Sequence, residues 1–276
     1  MIRIIEKIIV KTFSSKFFNF ITDIILHIAL KFKGYKNFGT FNETGEEYLL
    51  NMLVKNKVKY CLDIGAHNGD YSKKLLETNK MRVIAFEPMK QSFRNLKNLK
   101  NYYPDQFQCF NIALSDKNGF QKIYFTKSNS QLASLSTNLK SINFLKKKIF
   151  YNQKIKVSTL DYFEKKNKDI LPRKIDFLKI DTEGNDLKVL RGGLRFIKKY
   201  KPKFIQIEMN YHYLFDGENL YQFKKILNNY EVYKILPFNN GLLKVDVNRP
   251  ENNIFHLSNF VFIKKKSHEK KLSKIN

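Results

Sequence analysis

Four apolar runs in the chain each close on a carboxylate: "VKYCLD" ends at Asp63, "RVIAFE" at Glu87, "FLKID" at Asp181 and "FIQIE" at Glu208. Short runs rich in Val, Ile and Phe read as strands buried on both faces. Segments of helical period lie between them. "YSKKLLETN" follows the first run, "KQSFRNLKNLKNYY" the second, with Phe93, Leu96 and Leu99 on one side, and "LKVLRGGLRFIKKY" the third. This alternation predicts a parallel sheet covered by helices. Such a sheet binds its ligand outside the carboxyl ends of its strands. One acid at a strand end is ordinary, but four point to a single cleft.

The first acid opens the stretch "LDIGAHNGDYS". A dinucleotide site wants G-x-G-x-x-G. Counted from Gly65, the second and third glycine positions hold His67 and Asp70, so that fingerprint fails. Glu87 closes the second strand, where a carboxylate can take both hydroxyls of a ribose. An acid beside the glycine turn can face the ammonium of an amino-acid moiety. Ribose joined to a charged amino acid is S-adenosylmethionine.

"LDIGAHNGDYS", "AFEPMKQSFRNL", "NIALSDKNG", "VSTLDYF", "DFLKIDTEGNDLKVLRGG" and "FIQIEMN" together resemble the FkbM family of S-adenosylmethionine-dependent methyltransferases. The resemblance runs in order from about Phe41 to Lys266 and rests on the paired signatures D-x-G-A-x-x-G and K-x-D-x-E-G. It implies a Rossmann-like class I methyltransferase, an α/β fold with helices on both faces of a seven-stranded, mostly parallel sheet. The implied strand order is 3-2-1-4-5-7-6 with the last strand antiparallel. It also implies O-methylation of a hydroxyl on a sugar, glycan or other small biosynthetic intermediate. Carried over by position, Asp63, Gly65, Ala66, His67, Asn68 and Gly69 wrap the methionine part of the cofactor. Glu87 holds the ribose, and Asn111, Ala113 and Ser115 line the adenine side. At His67 the chain departs from the G-x-G-x-G of other methyltransferases.

Methyl transfer to a hydroxyl needs in-line approach and a proton acceptor. Asp181, Glu183 and Glu208 are the candidates, with His212 four residues after Glu208 and near the mouth of the cleft. Asp181, Glu183, Glu208 and Asn210 are also oxygen ligands of the kind Mg²⁺ prefers. The favoured expectation is that the acids act without an obligatory metal, one orienting the acceptor and one capping the helix that begins near Asn185.

The formal net charge is +26, which attracts anions. Lysines far outnumber arginines, whereas planar phosphate and base recognition favours Arg, so no specific nucleic acid is expected. An RNA methyltransferase and a non-catalytic nucleotide-binding scaffold are the alternatives. The two cysteines, Cys61 and Cys109, sit in apolar runs and read as buried, inert thiols of a reducing, cytoplasmic compartment. Residues 1–40 are greasy and basic, interrupted by Asp23 and His27. They are expected to form an extension that lies on an anionic membrane at its inner surface, or packs on its own domain or a second subunit. Residues 120–158 break the α/β rhythm within the 41–266 domain. They are expected to make a hairpin, a mobile polar loop and a short helix at "FLKKKIFYN", walling the acceptor side with Lys140 and Lys146 to Lys148. Residues 267–276 form a polar tail.

Overall fold

A computed structural model describes residues 2–126 and 129–265. The polar tail, Lys266 at the end of the expected domain and residues 127–128 of the insertion lie outside the described residues. Helices α1 (Ile2–Phe13) and α2 (Asn19–Phe32) come first, followed by α3 (Glu46–Lys55). Helix α3 carries Glu46 and Glu47 in its first turn, where the helix dipole favours acids, and it buries Leu49 and Leu53. The α/β succession follows as β1 (Tyr60–Ile64), α4 (Asp70–Glu77), β2 (Arg82–Phe86), α5 (Lys90–Tyr102) and β3 (Phe107–Phe110). Four strands then interrupt it: β4 (Ala113–Leu114), β5 (Gly119–Thr126), β6 (Asn129–Ser134) and β7 (Phe150–Ser158). The rhythm resumes with α6 (Leu160–Lys166), β8 (Phe177–Ile180), α7 (Asp186–Gly192), α8 (Leu194–Tyr200) and β9 (Phe204–Met209). The chain closes with α9 (His212–Asp216), α10 (Leu220–Ile226), β10 (Tyr230–Ile235), β11 (Leu242–Lys244) and β12 (Ser258–Lys264).

The main sheet runs β11-β10-β12-β9-β8-β1-β2-β3. From β3 to β10 this is the expected 3-2-1-4-5-7-6 order, with β12 antiparallel to both neighbours. Strand β11 adds an eighth strand antiparallel to β10. The strand period of two sorts the core. Leu62, Ile64, Phe86, Leu178 and Ile207 pack on one face, and Cys61, Val83, Ala85, Phe177 and Val261 on the other. Burial pushes the Cys61 thiol well up, so it stays protonated; Cys109 is only half-buried, although burial raises it too.

The insertion keeps the expected hairpin as the antiparallel pair β5 and β7 but differs from the expected loop and helix. It folds as a second, four-stranded sheet in the order β4-β7-β5-β6. The polar run "NSQLAS" is its edge strand β6. An edge strand pairs along one side only, so a Ser- and Asn-rich sequence can serve there. "FLKKK" makes turns, and "FYN" opens β7. Leu139, Ile142 and Leu145 are drawn instead into a small apolar cluster with Tyr124, Phe150 and Tyr211.

Helices α1 and α2 meet at an 87° bend, and among the described residues no single helix is long and apolar enough to cross a membrane. Leu30 is their one buried residue among those described. The chain joins the domain just beyond α2. Tyr35 is fully buried, and its backbone N–H donates to the Leu30 carbonyl. Lys234 Nζ lies 3.2 Å from the centre of the Tyr35 ring. Asn37 N–H donates to the Leu257 carbonyl, on the approach to β12.

Candidate cofactor and catalytic site

The parallel strands β1, β2, β8 and β9 end on the same edge, as their register requires. The turn after β1 is tight. Gly65 sits at φ +84°, and a Cβ there would come within 1.8 Å of the Asp181 carbonyl oxygen. No residue but glycine lets the two strand ends approach so closely. Gly69 also has positive φ, and the N–H of Gly69 donates to the Ala66 carbonyl to close the turn. His67 keeps φ +46°, a left-handed conformation that glycine would adopt without strain. The departure from the glycine pattern therefore changes the side chain and keeps the backbone path.

Glu87 is buried just past β2. Its Oε1 accepts from Met89 N–H at 2.7 Å and its Oε2 from His67 N–H at 2.9 Å. Burial outweighs these bonds and pushes its carboxyl up to about 7. Glu87 faces a cavity lined also by Gly65, His67, Asp181 and Glu183 from the main-sheet side and by Ala113 of β4. Ile123, Ala133 and Leu135, from the second sheet and its exit, form the apolar side. The insertion thus lies beside the site and walls the cavity that Glu87 shares with Asp181 and Glu183. Its strands pair back through β7 to β4, which directly follows β3, and this folds them over the second strand end.

The other expected cofactor residues stand behind this lining. Asp63 is fully buried; its Oδ2 accepts from Ser72 Oγ at 2.6 Å, and its Oδ1 has no hydrogen-bond partner among the described residues. Ala66 is buried in the turn. Asn68 and Gly69 line a separate surface depression with Asp70 and Lys73. Asn111 Nδ2 donates to the carbonyls of Glu87 and Pro88, so it holds the loop that carries Glu87. Ser115 Oγ donates to Asn185 Oδ1 at 2.9 Å, tying β4 to the start of α7.

The candidate catalytic residues converge. Asp181, Glu183 and Glu208 each bring one carboxylate oxygen within 4.8 Å of the others. Asn210 Nδ2 donates to Glu183 Oε2 at 2.8 Å, and His212 Nε2 lies 3.5 Å from the same oxygen. Burial, then the charge of Asp181, raises the Glu183 carboxyl; burial with the charges of Asp181 and Glu183 raises Glu208 well above the usual range. Glu183 itself is held at φ +51°. His212 was expected near the mouth and is instead 4% exposed. The reason is Gly184, whose missing side chain leaves room for it: a Cβ there would meet His212 Cβ at 2.5 Å.

Lys179 was missed by sequence reasoning. Its Nζ donates to Asp181 Oδ2 at 2.7 Å and sits 4.8 Å from the Tyr71 ring centre. Burial opposes its charge, but Asp181, Asp63 and Glu46 outweigh burial and raise its pKa. Beneath it, Tyr71 donates to Gln206, and Gln206 Nε2 donates to Glu46 and Asn259. The available signal was a lysine in an otherwise apolar strand, two residues before Asp181 and so on its face of the strand.

This donor set fits S-adenosylmethionine. A buried carboxylate suits the ribose hydroxyls, an apolar wall suits a purine, and excess negative charge suits a ligand carrying ammonium and sulfonium. A family model described as the methyltransferase FkbM domain matches residues 63–235. No curated protein matches the chain. Among solved structures it is similar to precorrin-6y C5,15-methyltransferase from Geobacter metallireducens GS-15, at 13% identity and a TM-score of 0.42 over 81% of this chain and 88% of that one. It is also similar to SMU.1697c from Streptococcus mutans in complex with SAH, at 9% identity and 0.42 over 80% and 98%. The N-terminal domain of human METTL16 in complex with SAH matches at 10% identity and 0.43 over 83% and 73%.

Proposed function

The chain belongs to the FkbM methyltransferase family, and from its site we propose that it methylates a hydroxyl of a sugar or glycan intermediate. S-adenosylmethionine is the cofactor and supplies, when bound, a methyl group already activated on a sulfonium. Glu87 would hold the ribose, Gly65 and His67 the methionine portion, and Ile123, Ala133 and Leu135 the adenine. Asp63 and Asp181 would offset the cofactor's positive charge.

The observation that carries the hydroxyl reading is the environment of Glu183. It faces the cavity, its basicity is raised by burial and by Asp181, and Asn210 and His212 bracket one of its oxygens. A hydroxyl is a poor nucleophile until its proton has somewhere to go. Glu183 would take that proton at its carboxylate, with Asn210 fixing the rotamer and His212 beside it as a second proton carrier. Asp181 would orient the acceptor. Lys179 already supplies Asp181 with a counter-charge, which supports acids acting without an obligatory metal.

Labelled S-adenosylmethionine offered with nucleotide sugars, glycan fragments and RNA tests the acceptor class. Transfer to a sugar hydroxyl is expected, and transfer to RNA alone would overturn it. On the acceptor found, Glu183→Gln should lower kcat by roughly 10²–10⁴-fold with cofactor affinity kept. Turnover that is equal in both proteins would remove Glu183 as the base.

A further inference from the structure

The N-terminal helices carry an apolar surface that the methyltransferase site does not use. In α2, Phe20, Ile21, Ile24, Ile25, Ile28 and Phe32 share one face, and all are exposed. In α1, Ile5, Ile8 and Ile9 are likewise exposed, at 51%, 61% and 52%. Arg3, Lys7 and Lys11 recur every four residues along one edge of α1, and Glu6 is its one acid. Exposed apolar stripes of this extent mark an interaction site. An apolar face edged by a basic row is the pattern of a helix that lies in a lipid interface.

The attachment point gives the surface a direction. Gly34 lies against the Ile235 carbonyl at the end of β10, and Asn37 bonds to Leu257 beside Ser258, which pairs with Met209 at the end of β9. This is the edge of the sheet that carries Glu208. Tyr211 stands next to His212 and contacts the His256 ring at 5.8 Å; burial, Lys36 and His27 in turn lower the His256 pKa. Helix α2 therefore flanks the catalytic end. The opposite end carries a separate cleft lined by Lys198, Lys201, Lys203, Lys264 and Lys265.

We propose that α1 and α2 lie on an anionic bilayer surface and turn the catalytic end of the sheet toward it. Charge complementarity selects this occupant over a second copy of the chain, because two copies would bring their basic rows together. On the methyl-transfer reading above, the acceptor is then presented from the membrane side.

Sedimentation of the full chain with phosphatidylglycerol–phosphatidylcholine vesicles tests the docking. Binding is expected, with little on phosphatidylcholine alone and a loss of at least tenfold in partitioning for Arg3→Glu/Lys7→Glu/Lys11→Glu. Ile8→Asp/Ile24→Asp should abolish binding while circular dichroism and SAH affinity stay unchanged, because both side chains are exposed. Failure of the full chain to bind, or binding that survives both variants, would overturn the proposal. So would a dimer in ultracentrifugation that Ile8→Asp/Ile24→Asp splits in the absence of any vesicle binding. Hydrogen exchange on vesicles should slow at residues 210–216 and 253–257. Slowing at 198–203 and 264–265 instead would overturn the orientation, and SAH binding measured on the same samples keeps either failure distinct from failure of the methyltransferase reading.

Discussion

Two sheets close on one cavity and bring opposite chemistry to it. The main sheet delivers charge: Glu87, Asp181 and Glu183 all arrive at ends of parallel strands. The second sheet delivers Ile123 and Ala133, with Leu135 just beyond β6. The main sheet needs close backbone approach to gather its acids, which Gly65 allows. The second needs only to cover. Ser134 Oγ is one polar link to the charged side, donating to the Glu183 carbonyl at 2.5 Å. The difference teaches that the parallel core gathers the charged groups at its strand ends, while the insertion covers them with apolar side chains.

Gly65→Ala should break the charged side most severely. Positive φ and the Asp181 carbonyl both oppose a Cβ, so a loss of roughly 3 kcal/mol is expected, seen as a fall in Tm on the order of 10 °C. An unchanged Tm would mean that the two strand ends can separate freely. Glu87→Gln is next. It should cost about 1.5–3 kcal/mol of cofactor affinity by calorimetry, since a charge-assisted acceptor is lost.

The same residue sets a pH dependence. Its carboxyl is raised from 4.5 to about 7 in the free protein. Below about 7 it is protonated and must lose that proton to accept two hydroxyl donors. Cofactor affinity should therefore weaken as pH falls from 7 toward 4.5, by at most about tenfold per unit. The stability of the free protein should move the other way, since the raised pKa contributes stability that is full below 4.5 and is lost as pH rises through 7. Glu87→Gln should flatten both profiles; a slope kept in the variant would assign the proton to another group.

On the apolar side, Leu135→Ala should cost about 1 kcal/mol of cofactor affinity and leave the pH profile intact. If it altered the profile as Glu87→Gln does, the division of labour between the sheets would fail. Treatment with EDTA should leave turnover unchanged, because Lys179 balances Asp181; activity lost on chelation and restored by Mg²⁺ would make the Asp181, Glu183 and Glu208 cluster a metal site. His67→Gly carries the smallest effect, within about 1 kcal/mol of zero in thermal unfolding, since the glycine relieves left-handed strain but adds unfolded-chain entropy.

Much of the main sheet was legible in the sequence because its signals are local. A strand that ends in an acid and a turn that needs glycine can each be read within a dozen residues. From them follow the α/β order, the cleft, and the meeting of Asp181, Glu183 and Glu208. Of the second sheet, the antiparallel pair β5 and β7 was legible as the expected hairpin, but its edge strand was not. "NSQLAS" has no apolar run, and it becomes a strand only because β5 offers an unpaired edge. His212 reads as a loop residue until Gly184 leaves a hole for its ring. Lys179 lies in plain view within β8, yet its partners Asp63 and Glu46 are remote in sequence and reach it only through folding. Short-range pattern thus determined the strands, the turn and the acids they carry. Long-range packing alone decided which acids share a cation, which histidine is buried and which insertion covers the cavity, because burial and charge balance depend on neighbours that no stretch of chain contains by itself.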